Sequence, residues 1–312
     1  MLTQDVRLQR RLERKRRARR RRVAVFALAL AAVAIGLFLF LHGGSGAKPA
    51  PQAKASIHHK AVILRAPKAT APRITRLSLP VTLPARTLSV PILMYHRIDV
   101  LRPTLPAITR SLTVDPGDFA RQMRWLRAHG YHTVTQAQLF AALEHGARLP
   151  AKPILITFDD GYRDVLQNAA PVLRRLGMKA TAYVITSRIS NGDVSFLTWP
   201  QLRRLEQDGV EIGSHTVHHA ELPGLTDPAA LQELIQSRHA LEAQLRHPVQ
   251  WFAYPAGRFD TRSEALVRQA GYVLAVTTTS GRAQDARQPF ALHRYEVLDT
   301  TGVRGLASML RG

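Results

Sequence analysis

Pro153-Ile154-Leu155-Ile156-Thr157-Phe158-Asp159-Asp160-Gly161-Tyr162 is the stretch on which the reading of this chain turns. A short, continuous apolar run predicts a strand buried on both faces. Two carboxylates stand where that strand ends, and Gly161 gives the backbone freedom to turn. About fifty residues later, Val210-Glu211-Ile212-Gly213-Ser214 predicts a second such strand, which runs into His215-Thr216-Val217-His218-His219. Either stretch alone is an ordinary loop. Their shared position at strand ends is what points to chemistry.

Working outward, the same alternation recurs. Val90-Pro91-Ile92-Leu93-Met94-Tyr95 predicts a buried strand ending in His96, and Phe119 to His129 a helix stopped by Gly130. Arg163 to Leu176 reads as a helix, residues 180–185 as a strand, Trp199 to Gln207 as a helix and Pro228 to Leu245 as a long one. Residues 249–254 and 272–276 read as strands around a helix from Ser263 to Ala270. Repeated strand–helix units with apolar strands predict an α/β fold, a parallel sheet covered by helices. About seven units fit a distorted (β/α)7-type barrel, in which residues at strand C-termini gather on one face. His96, Asp159, Asp160, His215 and Tyr254 all fall at such ends.

The chain of 312 residues contains no cysteine, which excludes disulfides and thiolate metal sites. His215 and His219 have the spacing at which one helical turn brings two rings to one side. With one carboxylate they make a three-ligand set that leaves a position for water. Zinc suits two imidazoles and a carboxylate; cobalt, nickel and manganese accept the same donors. Adjacent side chains at a strand end diverge, which divides the labour. Asp160 is expected to ligate and Asp159 to take a proton from the attacking water, with the N–H of Tyr162 facing the developing oxyanion. His218 reads as an exposed loop residue, and His58 and His59 carry no role.

The net charge of +22 is concentrated at one end. Residues 1–22 hold eleven Arg and Lys against Asp5 and Glu13, and Val23 to Leu41 contains no charge. A basic arm beside an apolar run of that length predicts a cytoplasmic arm and a signal-anchor helix through the inner membrane, with the remainder extracytoplasmic, in the periplasm or at the cell surface. A cleaved leader and a secreted product is the alternative, since small residues follow at Gly43-Gly44-Ser45-Gly46-Ala47. Nucleic acid is not an expected partner. Residues 42–88 are rich in Ala, Pro, Lys and Arg and predict a flexible linker, leaving 89–312 as the catalytic domain.

The motifs Thr157-Phe158-Asp159-Asp160-Gly161-Tyr162 and His215-Thr216-Val217-His218-His219 resemble those of the polysaccharide deacetylase family, of NodB homology (carbohydrate esterase family 4). The resemblance spans roughly residues 89–298. It implies a distorted β/α barrel and metal-dependent removal of acetyl groups from a polysaccharide. It places the base at Asp159 and the ligands at Asp160, His215 and His219. Two family features depart here. Phe252-Ala253-Tyr254-Pro255-Ala256-Gly257 stands where an Arg-Pro-Pro-Tyr-like motif carries the arginine that orients the base. The late Leu-x-Leu-His-like stretch has only Ala291-Leu292-His293-Arg294 as a counterpart.

Both departures resemble the poly-β-1,6-N-acetylglucosamine deacetylase branch, which opens with a strand like Pro91-Ile92-Leu93-Met94-Tyr95-His96 and appears circularly permuted. That resemblance makes His96 the expected general acid, with His293 the alternative. Arg294 is either the replacement arginine or a surface residue. Trp199, Tyr254 and Leu292 are expected along the sugar groove, or else in the core. The expected function is hydrolysis of N-acetyl groups on an extracytoplasmic N-acetylglucosamine glycan. A non-catalytic glycan binder with a vestigial site and an O-acetyl esterase are the alternatives.

Overall fold

The computed structural model describes residues 86–311. The basic arm, the apolar run 23–41, most of the linker, and His58 and His59 lie outside the described residues. Among the described residues no helix is long and apolar enough to cross a membrane.

The chain begins β1 (Thr87–Ser89), β2 (Ile92–Tyr95), β3 (Arg97–Ile98), α1 (Ala107–Ser111), β4 (Thr113–Val114), α2 (Pro116–Ala128), β5 (His132–Thr133) and α3 (Gln136–His145). It continues through β6 (Pro153–Phe158), α4 (Ala170–Leu176), β7 (Ala180–Val184), α5 (Trp199–Gln207), β8 (Val210–Ser214) and α6 (Asp227–Leu245). Last come β9 (Trp251–Ala253), α7 (Thr261–Gln269), β10 (Leu274–Val276), β11 (Ala283–Asp285), β12 (Tyr295–Glu296) and α8 (Gly302–Arg311).

The central sheet has the order β10-β9-β8-β7-β6-β2-β12, with β5 beside the start of β6, and its neighbours are parallel. Val276 also pairs in parallel with Leu292, just ahead of β12, so the two ends of the order approach each other. Helices wrap this curled sheet, giving the half-barrel of a (β/α) fold. The linker boundary expected at residue 88 falls inside β1, which pairs antiparallel with β11. The helix expected from Arg163 to Leu176 is present, but a π-turn, Val165–Ala169, interrupts its α-ladder ahead of α4. Pro171 has no N–H to donate back along an α-ladder, which favours such a shift.

Alternation along the strands sorts the side chains. Ile154, Ile156 and Phe158 of β6 join the large apolar cluster with Leu93, Phe119 and Ile212. Tyr95, Phe119 and Phe158 meet there with ring centroids 5.3–5.8 Å apart. Thr157 and Asp159 alternate to the opposite side, where they meet Arg294. Tyr183 of β7 is paired in register with Gly213 of β8. A Cβ at Gly213 would lie 2.5 Å from the Tyr183 ring and 2.9 Å from the Trp251 carbonyl oxygen, so the close approach requires glycine.

Candidate active site

Asp159 is the last residue of the β6 alternation, and its N–H donates to the Tyr95 carbonyl at 2.9 Å. The next two residues take left-handed conformations, Asp160 at φ +75° and Gly161 at φ +85°. Such a pair is inexpensive for Asp and Gly and reverses the chain at once. Asp159 is thereby directed inward and Asp160 toward the histidines.

The Asp159 carboxylate is buried and forms a two-pronged pair with Arg294, Nη1 to Oδ1 at 2.8 Å and Nη2 to Oδ2 at 2.7 Å. Arg294 is fully buried. It also donates to Thr157 Oγ1 at 3.2 Å and, through Nε, to the Thr277 carbonyl at 2.8 Å. Its guanidinium carbon lies 5.8 Å from the Tyr183 ring centroid. Burial alone would push the Asp159 carboxyl up, but the charge and hydrogen bonds of Arg294 outweigh it and hold the pKa down to about 2. The arginine missing from the Tyr254 region is therefore supplied from the run into β12, and its alternative as a surface residue is excluded by its burial.

His215 and His219 are brought together by a turn, not by the helical turn their spacing suggests. Thr216 and His219 adopt φ +65° and +61°, and the two rings stand 4.8 Å apart between centroids. The Nε2 atoms of His215 and His219 lie 3.6 and 3.7 Å from Asp160 Oδ1. One ligand atom from each residue falls within 4.8 Å of the others. Bonds of about 2.0–2.2 Å to a shared zinc ion set tetrahedral ligand atoms roughly 3.3–3.6 Å apart, so the set suits a divalent ion with little movement. His215 Nδ1 lies 2.8 Å from the Ala253 carbonyl, which can only accept. The proton is thus on Nδ1 and the Nε2 lone pair is directed to the site. Burial also lowers the His215 pKa, which favours the neutral, ligating ring.

His96, Asp159, Asp160, His215 and His219 line one cleft of about 390 Å³ at the C-terminal ends of the strands. His96 Nδ1 is buried without a hydrogen-bond partner among the described residues. A larger hollow, about 510 Å³, borders Val210 and Trp251 at the opposite ends of the strands, away from these groups.

Other expected site residues are placed differently. Tyr254 borders the cleft, but it is fully buried, stacked on Phe259 and edge-on to Phe252, so its face is not offered to a sugar. Trp199 opens α5 and packs against the large apolar cluster, outside the cleft lining. Leu292 is buried beside Trp251 and Leu274. His293 is absent from the cleft lining, and its backbone is tied to the Gln284 side chain on both sides. The Tyr162 ring stacks on Phe196 at 4.9 Å, and the Arg97 guanidinium carbon lies 4.9 Å from the Tyr162 ring centroid. Burial, then the Asp160 charge, pushes the Tyr162 hydroxyl up to about 12. The bridge between Tyr162 and Phe196 uses the Arg163 N–H and the Gly161 carbonyl, so the Tyr162 N–H takes no part in it. Thr157 and Tyr183 contact Arg294 beside the site, which residue type alone did not announce. The one sequence signal was the odd–even alternation of β6 and β7.

The polysaccharide deacetylase family model matches residues 146–275. YxkH of Bacillus subtilis (strain 168), named as a polysaccharide deacetylase, is 36% identical over 218 residues, 70% of this chain and 74% of its own. A poly-β-1,6-N-acetyl-D-glucosamine N-deacetylase of Staphylococcus epidermidis is 24% identical over 232 residues, 67% of this chain and 80% of its own. Among solved structures, the Streptococcus pyogenes deacetylase PplD in complex with acetate matches with a TM-score of 0.67 and 29% identity, over 72% of this chain and 99% of that one. IcaB from Ammonifex degensii shares the fold at a TM-score of 0.63 and 24% identity, over 72% and 97% of the two chains. The curled parallel sheet, the divided aspartates and the paired histidines thus accompany a clear sequence kinship, and the chain belongs to the polysaccharide deacetylase family, hydrolases acting on carbon–nitrogen bonds.

Proposed function

We propose that this protein removes N-acetyl groups from an N-acetylglucosamine-containing glycan outside the cytoplasm, releasing acetate. The observation that carries the reading is the convergence of Asp160, His215 and His219 beside the Asp159–Arg294 pair, with His96 in the same cleft. Asp160, His215 and His219 would hold a divalent ion, zinc being the best match to the donors and cobalt, nickel or manganese also accepted. When bound, that ion would polarise the acetyl carbonyl and make water a stronger acid.

Asp159 accepts the proton of the attacking water, and Arg294 keeps the carboxylate charged and oriented for it. The water oxygen bonds to the acetyl carbon while the Tyr162 N–H faces the developing oxyanion. His96 donates a proton to the amide nitrogen as the carbon–nitrogen bond breaks, leaving acetate and a free amine. The relationship to a poly-β-1,6-N-acetyl-D-glucosamine N-deacetylase supports a β-1,6-linked polymer as substrate. Acetate release should be greatest with N-acetylglucosamine oligomers of that linkage. Faster release from O-acetylated xylan, with none from the amides, would refute an N-deacetylase.

The basic arm and apolar run at residues 1–41 support an inner-membrane anchor with the catalytic domain outside. Protease added to intact spheroplasts should remove the catalytic domain while leaving a cytoplasmic marker whole. Protection of the domain until lysis would contradict that placement.

A further inference from the structure

We infer that Glu233 is a positioning residue that clamps the two-histidine turn in its metal-binding shape; the inference rests on the metal reading of Asp160, His215 and His219. The turn is costly in itself, because Thr216 and His219 both carry side chains in left-handed conformations, at φ +65° and +61°. Conformations of this kind persist only where the surroundings impose them.

Two sides of the turn are held. The Thr216 and Val217 carbonyls accept the N–H groups of Thr186 and Ser187 at 3.2 and 3.0 Å. On the other side stands a single side chain from α6. Glu233 Oε2 accepts the N–H groups of both Val217 and His218 at 2.9 Å, and Oε1 lies 2.7 Å from His218 Nδ1. One carboxylate therefore engages three groups between the two metal-binding histidines. Adjacent N–H groups converging on one anionic oxygen form a small concave anion site, and hydrogen bonds to a charged acceptor are stronger than neutral ones.

The helix that presents Glu233 is itself fixed beside the site. Ser214, the residue before His215, donates its hydroxyl to Ser237 one turn along α6, at 2.8 Å. The Glu233 side chain is only 15% exposed, whereas the His218 ring it contacts is 67% exposed. His218 is thus an outer support of the clamp and not a ligand. His219, at 39% exposed, has little packing of its own to hold it in place. Its position depends on the turn backbone, whose Val217 and His218 N–H groups are held by Glu233 while Thr186, Ser187 and the Thr216 hydroxyl hold other points of the turn.

The test uses the purified full chain and Zn²⁺ alone, in competition with a chromophoric chelator, with the melting temperature of the metal-free protein measured alongside. Glu233→Ala should bind Zn²⁺ about 10- to 100-fold more weakly, the range typical of groups that orient metal ligands, while its metal-free form melts near the wild type. Glu233→Gln keeps an oxygen for both N–H groups and should return affinity to within a few-fold. His218→Ala leaves the backbone bonds and should bind like the wild type. Should Glu233→Ala not fold, Glu233→Asp, one methylene shorter, carries the same expectation of weakened binding. Wild-type affinity in the folded variant, with or without a lower melting temperature, overturns the clamp alone. A wild-type protein that binds no Zn²⁺ overturns the metal reading, and the clamp with it.

Discussion

Asp159 and Asp160 are neighbours of the same chemistry, yet they stand in opposite surroundings. Asp159 continues the inward alternation of β6 and meets a buried guanidinium; Asp160 is thrown out of that alternation by a left-handed backbone and meets two imidazoles. Their division was legible in the sequence because successive side chains at a strand end diverge. The partner of Asp159 was not fully legible. Arg294 lies 135 residues away, in a short run without periodicity, and only the fold shows that it is buried. The two candidate acids, His96 and His293, are separated in the same way. His96 lines the cleft with an unpartnered Nδ1, whereas His293 lies outside the lining. His96→Ala should lower turnover by about 10²- to 10⁴-fold, the usual weight of a general acid, and His293→Ala should leave it nearly unchanged. Steady-state acetate release by the two variants checks this, and the reverse ranking would transfer the role to His293.

The strands with long apolar runs were legible element by element, because burial on both faces leaves a continuous signature. Beta-strand β12 was not, since two residues, one half-buried and one exposed, carry no pattern at all. Nor was the shape of the histidine turn: the spacing of four admits a helix, and only two left-handed residues show that the chain took another route. Gly213 had a readable oddity, a glycine inside an apolar strand, and its reason is the Tyr183 ring lying across it. That ring also borders Arg294, so the glycine sets how closely β7 and β8 pack under the base. Gly213→Ala should destabilise the protein by about 1–3 kcal/mol through overpacking. Urea unfolding measures the loss; an unchanged midpoint would mean that the ring moves aside freely.

At the scale of the whole fold, the described residues form a curled parallel sheet whose C-terminal edge gathers His96, Asp159, Asp160, His215 and His219 in one cleft, with apolar clusters packed on the strands. The family kinship secures the class of bond cleaved. The proposed reaction turns on the divalent ion that Asp160, His215 and His219 would hold, since Asp159 and His96 line the same cleft. It is tested most directly by acetate release from N-acetylglucosamine oligomers, followed in the purified protein before chelation, after complete metal removal, and after Zn²⁺ is returned. Activity should disappear on chelation and reappear with the metal, and Asp160→Ala should not be rescued at the same Zn²⁺ concentration. Undiminished acetate release from the fully metal-free protein would contradict the account.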